Sequence, residues 1–191
     1  MSHRNDFVLW LTGLPCSGKT TLSDAVKLRL EMRGLSVEQL DGDCMRKKYG
    51  NSLGYTKKDR MTNIRHIVSE AQSQQQRGLV TLVSVISPYR SMREYARERI
   101  DDFVEVFLQC PLAVCEARDV KGMYRLARAG KIKHFTGVSD PYEEPLWPEL
   151  VLNTHRLNIE RCAEKLIVYL EKKGLLAGRW ELARMESALL K

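Results

Sequence analysis

The 191-residue chain has no long apolar run: its longest hydrophobic stretches are far too short to span a bilayer. The first residues, "MSHRNDF", are polar and carry no apolar signal core, so no export is expected. Five cysteines (Cys16, Cys44, Cys110, Cys115 and Cys162) form no C-x-x-C pair and keep no regular spacing, which fits structural thiols in a reducing compartment. The four histidines are equally scattered, giving a zinc site little support. There is no internal repeat, no linker, no arginine-rich tail, no zinc finger and no RNP-type aromatic motif. These absences argue against membrane, disulfide-scaffold and nucleic-acid-binding classes.

What remains is an ordinary globular composition, 43% hydrophobic and 29% charged, with 31 Lys and Arg against 24 Asp and Glu. A single domain of this length buries about 70% of its unfolded surface. The net charge of +7 gathers near turns and in one central segment, which points to anionic small molecules, nucleotide phosphates above all.

Strand-like and helical patterns alternate along the chain. "FVLWL", "LSVEQLD" ending at Asp41, "LVTLVSVI" (79–86), "FVEVFLQC" and "ELVLNT" read as strands. Helices are predicted from Thr20 to a stop at Gly34, from Lys57 to Gly78, over "SMREYARERID" and over "NIERCAEKLIVYLEKKG". Continuous apolar strands between helices indicate an α/β fold whose mainly parallel five-stranded sheet is covered on both faces, a three-layer sandwich. The cluster Gln72–Gln76 reads as a solvated helix face. The expected division is a domain over 1–174 and a helical tail over 175–191.

Between the first strand and helix lies Gly13-Leu14-Pro15-Cys16-Ser17-Gly18-Lys19-Thr20, a match to G-x-x-x-x-G-K-[ST] in its required strand–loop–helix context. Such a loop turns its backbone N–H groups inward around phosphates, and the following helix adds the positive end of its dipole. Lys19 is placed to reach the β- and γ-phosphates, and the Thr20 hydroxyl to sit on Mg²⁺. Four further features fall at the carboxyl ends of predicted strands, where ligands collect in open α/β sheets. In "LDGDCMR", Asp41 and Asp43 suit a metal or a proton acceptor, although a solvated Asp-Gly turn explains the pair equally well. In "LGYTKKDRMTNIR", Arg60, Asn63 and Arg65 begin a helix on which Arg60 and Asn63 share a face, and Tyr55 precedes them. By spacing alone, an exposed basic helix start accounts for that segment better. In "SVISPYR", Ser87 follows a strand with no histidine base placed to activate it, so a pocket role is favoured over a nucleophile. In "RDVKGMYRLARAGKIKHFTG" (118–137), the cations Lys121, Arg125, Arg128, Lys131 and Lys133 alternate with glycines, as expected of a basic lid that excludes water.

These motifs, in this order and together with "DPYEEP", closely resemble the adenylylsulfate kinase family over Phe7 to about Leu170. The resemblance implies a P-loop kinase that uses MgATP to phosphorylate the 3′-hydroxyl of adenosine 5′-phosphosulfate, as a cytoplasmic homodimer in sulfate assimilation. It also implies roles by position. Gly13 through Thr21, with Leu14, Pro15, Cys16, Ser17 and Gly18, would hold the ATP phosphates, while Arg118 and Thr154 would meet its base. Asp43 would be the base for the acceptor hydroxyl, and Asp41 with Thr20 would organise Mg²⁺. Arg46, Arg60, Asn63, Ile86 and Lys121 would line the acceptor site. Tyr55, where the family usually has phenylalanine, and Phe135 would flank the substrate adenine. Ser87 matches a serine often labelled a phosphoserine intermediate, which direct transfer does not need. The chain departs from the family at Pro15-Cys16, Cys44 and Thr62. Those departures leave open a same-fold kinase for another nucleotide such as cytidine diphosphoramidate. A third reading, an ATP-binding switch, leaves the acceptor-side residues without a purpose.

Overall fold

A computed structural model describes residues 6–49 and 53–176. Five strands, β1 (Val8–Thr12), β2 (Val37–Asp41), β3 (Val80–Ser84), β4 (Phe103–Gln109) and β5 (Leu150–Asn153), pair in the order β2-β3-β1-β4-β5. Every pairing is parallel, so the sheet expected to be mainly parallel is wholly so. Four strands lie within the predicted runs, with β3 shorter than 79–86 at both ends, while β1 extends one residue past "FVLWL" to Thr12.

Alternation along β1 divides the core. Leu9 and Leu11 face one side and pack with Leu22, Val26 and Leu30 of α1 (Lys19–Glu31) and with Cys162, Leu166 and Leu170 of α7 (Ile159–Lys172). Val8 and Trp10 face the other side. There they meet Ile64, Ile67 and Val68 of α3 (Lys57–Gln76), Met92 and Ala96 of α4 (Arg90–Arg97), and Met45 of α2 (Gly42–Lys48). Both faces of β1 are thus buried, which is why it reads as an unbroken apolar run. A third, smaller cluster forms where α5 (Leu112–Arg118) and α6 (Met123–Arg128) close over the end of β4: Cys110, Cys115 and Tyr124 with Leu14, Leu112 and Phe135. All five cysteines are free thiols. Among the described residues no helix is long and apolar enough to cross a membrane.

Two readings need correction. The glutamine cluster is not a solvated face: Gln74 and Gln75 are buried, and Gln75 Nε2 donates to the carbonyls of Asp6 and Asp101, each at 2.6 Å. The Asp-Gly step after β2 is not a solvated turn but the start of α2, with Asp41 as its cap. The segment 177–191, most of the expected tail, lies outside the described residues; Leu176 just before it is buried against the core.

Candidate active site

The sheet's strand order reverses around β1, and the loops leaving the carboxyl ends of its strands enclose one cleft of about 780 Å³. The phosphate loop forms its floor. Gly13 adopts φ 152°, and a Cβ there would lie 2.7 Å from the Leu108 carbonyl oxygen, so the loop can leave β1 only with glycine at this point. Gly18, at φ 98°, caps α1 in the left-handed region. Pro15 to Thr21 line the cleft, whereas Gly13 and Leu14 lie behind it, Leu14 in the small third cluster. Lys19 Nζ donates to the carbonyls of Gly13 (3.0 Å) and Leu14 (2.8 Å), and burial pulls its pKa down to about 8.

Asp41 does two things at once. Its Oδ1 accepts from the backbone N–H groups of Asp43 (2.9 Å) and Cys44 (3.2 Å), starting α2, while its Oδ2 accepts from the Thr20 hydroxyl at 3.4 Å. A hydroxyl, a carboxylate and a second carboxylate two residues on are hard oxygen donors of the kind Mg²⁺ takes. The residues present therefore fit that ion. Asp43 reaches across to Lys121, with Nζ and Oδ2 3.5 Å apart.

Arg60 and Asn63 are buried rather than forming an exposed helix start. α3 begins with a reciprocal cap between Thr56 and Asp59, which fixes where its first turn points. Arg60 donates from Nε to the Tyr55 carbonyl (2.9 Å) and from Nη2 to the His134 carbonyl (2.6 Å), joining α3 to the predicted lid. Burial holds its pKa below the ordinary arginine value. Asn63 donates to the Gly42 carbonyl at 3.2 Å and leaves its buried Oδ1 without a partner. Arg46 donates to the Gly54 carbonyl and lies 4.6 Å from the Tyr55 ring centre; Arg60 lies 5.5 Å from it. Arg65 turns away to Tyr95. Ile86 and Ser87 form the facing wall. The Ser87 hydroxyl is buried, accepting from Trp10 Nε1 and donating to Thr12.

The lid segment folds as the end of α5, α6 and a turn. Arg118 donates to the carbonyls of Cys16 (3.2 Å) and Thr154 (2.7 Å), clamping the phosphate loop to the residue after β5. The Tyr124 hydroxyl donates to the Pro15 carbonyl, and Phe135 meets the Tyr124 ring edge-on at 4.9 Å. Of the five lid cations, Lys121 lines the cleft, whereas Arg128 pairs with Glu116. Beside Arg118 and Thr154 the cleft is completed by Val120, Leu157, Ile159 and Cys162, which sequence reasoning did not single out because nothing separates them from core residues.

The arrangement sets a phosphate loop and a metal-competent carboxylate at one end and two buried or half-buried arginines with an aromatic ring at the other. That suits transfer of a phosphoryl group between two anionic nucleotides. Comparison with known proteins agrees. A family model described as adenylylsulphate kinase matches residues 5–153. An adenylyl-sulfate kinase of Halothermothrix orenii is 47% identical over 176 residues, 92% of this chain and 95% of its own. The APS kinase of Mycobacterium tuberculosis, solved in complex with AMPPNP and APS, superposes with a TM-score of 0.83 at 39% identity, over 86% of this chain and 97% of its own. A hexameric APS kinase from Thiobacillus denitrificans gives a TM-score of 0.68 at 30% identity, over 91% of this chain and 30% of its own.

Proposed function

We propose, since the chain belongs to the adenylylsulfate kinase family, that its cleft transfers the γ-phosphoryl group of ATP to the 3′-hydroxyl of adenosine 5′-phosphosulfate (APS). The observation that carries the assignment of residues is that one cleft holds both the phosphate loop and the Arg46, Arg60, Asn63 and Tyr55 group. In this reading Lys19 and the loop amides bind the triphosphate. Thr20 and Asp41 hold Mg²⁺, which offsets charge on the phosphates when bound. Arg118 and Thr154 meet the ATP base. Arg46 and Arg60 take the phosphosulfate, Asn63 and Ile86 shape the acceptor pocket, and Tyr55 and Phe135 flank its adenine.

Asp43 accepts the proton as the 3′-oxygen bonds to the γ-phosphorus. The bond from that phosphorus to the β–γ bridging oxygen breaks, and ADP leaves with the electron pair. Lys121, facing Asp43 across the cleft, offsets the negative charge that gathers on the transferring group. Residues 118–137 act as the lid of a domain spanning 1–174, shielding the phosphates from water. The same reading makes the protein a cytoplasmic homodimer in sulfate assimilation, which a molar mass of twice the chain mass by light scattering would support.

The deciding experiment follows ADP release from MgATP with adenylylsulfate, with cytidine diphosphoramidate and with no acceptor, using Lys19→Ala as control. Strong stimulation by adenylylsulfate, lost in the variant, is the expected result. Stimulation by the cytidine compound alone, or turnover indifferent to either acceptor, overturns it.

A further inference from the structure

β1 ends at Thr12, the residue immediately before the phosphate loop, and Thr12 is wholly buried. Its hydroxyl donates to the Ile86 carbonyl at 2.7 Å, accepts from the Ser87 hydroxyl at 3.0 Å, and lies 2.9 Å from the Tyr142 hydroxyl. A hydroxyl has one proton and two lone pairs. With its proton committed to Ile86, Thr12 must accept from both neighbours, so Tyr142 is the donor in their contact. Ser87, having given its proton to Thr12, accepts from Trp10 Nε1 at 3.1 Å. Every proton in the chain of hydroxyls is thereby assigned. Burial holds the Tyr142 phenol well above its ordinary pKa, in keeping with a permanent donor.

The wall this chain holds is a strained one. Ser87 adopts φ 38°, in the left-handed region that side chains rarely enter, and such a residue persists only where its surroundings over-determine it. Its carbonyl accepts from Arg93 at 2.6 Å, and Arg93 is itself paired with buried Glu105 at 2.8 Å. Two consecutive carbonyls, those of Ile86 and Ser87, are therefore pinned from different directions. One of the two anchors is the residue that launches the phosphate loop.

We propose that Thr12 and Tyr142 are positioning residues that set the spacing between the phosphate loop and the acceptor wall at Ile86–Ser87. Neither lines the cleft, so each acts through the wall and the loop. The proposal rests on the kinase reading, because in-line transfer is the step that needs the spacing held. Misplacement of a reacting group by about 1 Å can cost on the order of a hundredfold in rate.

The test uses the full chain with Thr12→Val, Thr12→Ser, Tyr142→Phe and the Val/Phe double variant. Rates with MgATP and adenylylsulfate are measured beside melting temperatures, and hydrogen exchange over residues 84–87 is followed with and without AMPPNP. Thr12→Val and Tyr142→Phe should each lower kcat about tenfold while KM for MgATP stays within about twofold. Thr12→Ser should regain most of the rate, and the double variant should be no worse than the poorer single one, since both cut the same chain. AMPPNP should slow exchange at 84–87 in the wild type and not in Thr12→Val. Unchanged kcat in the folded variants overturns the proposal. So does a loss that tracks melting temperature, raises both KM values and is not rescued by serine. If the wild type fails to use adenylylsulfate, the kinase reading falls. The exchange comparison then decides alone: protection that persists in Thr12→Val sinks the positioning role.

Discussion

Lys19 is partly buried and its ammonium donates to atoms of its own loop, so the charge that awaits the triphosphate already holds the loop in shape. Its pKa of about 8 gives the site a pH dependence with a definite sign. Bound phosphates favour the charged lysine and raise its pKa. Below about 8 the group is charged before binding and nothing changes; above it, binding takes up a proton and affinity falls, by at most about tenfold per pH unit. AMPPNP titrations from pH 7 to 9.5 should therefore weaken past pH 8, and Lys19→Arg, which stays charged, should flatten the profile. A flat wild-type profile would show that Lys19 does not titrate in the free site. Gly13 is a second case where one residue decides. An added Cβ would strike the Leu108 backbone oxygen at 2.7 Å and the Ser17 hydroxyl at 2.8 Å, and the first of these cannot rotate aside. Gly13→Ala should lower the melting temperature and weaken AMPPNP binding more than tenfold, a loss on the order of 1.4 kcal/mol or greater. Cys16, at φ 60° without being glycine, marks the same loop as a place where backbone demands exceed what residue type reveals.

α2 shows how an element can carry function without announcing itself. It has seven residues and one buried side chain, Met45, so no periodicity marks it in the sequence. Its cap, Asp41, also meets Thr20, and these two duties separate by substitution. Asparagine caps as well as aspartate, whereas alanine costs about 1 kcal/mol. Asp41→Asn should keep the urea midpoint near that of the wild type while raising the Mg²⁺ concentration needed for half-maximal activity. Asp41→Ala should lose both. Equal stability of the two variants would remove the capping role. The longer elements were legible because their signals are local: the unbroken apolar run of β1, the helical run from Lys57 to Gly78, the glycines at 13 and 18. The burial of Gln75 and Arg60 was not, because what buries them comes from afar. Gln75 serves carbonyls 69 and 26 positions away, and Arg60 a carbonyl 74 away. Polar residues on a helix face give no hint that distant loop ends will claim them.

Over the whole molecule, the cleft's two halves are joined behind by charge as well as by hydroxyls. The motifs named most of the residues facing the cleft, yet not this support, because Arg93, Arg97, Glu105 and Glu149 belong to no motif and meet only when α4, β4 and the approach to β5 pack together. Arg93 and Arg97 both bind Glu105, and Arg97 also binds Glu149, which accepts from the Glu105 backbone N–H at 2.7 Å. Burial alone would push the Glu149 carboxyl up; the Arg97 guanidinium and that N–H outweigh it and hold it below the ordinary value. A carboxylate depressed in this way adds stability above its unfolded value of about 4.5, and loses it as pH falls through the folded value. Urea midpoints should therefore decline below about pH 4.5. Arg97→Met, which keeps the packing over Phe103, should be less stable than the wild type at neutral pH and approach it as the pH is lowered. A gap that stays constant from pH 7 to 3 would mean that Arg97 contributes through packing and not through the carboxylates it binds.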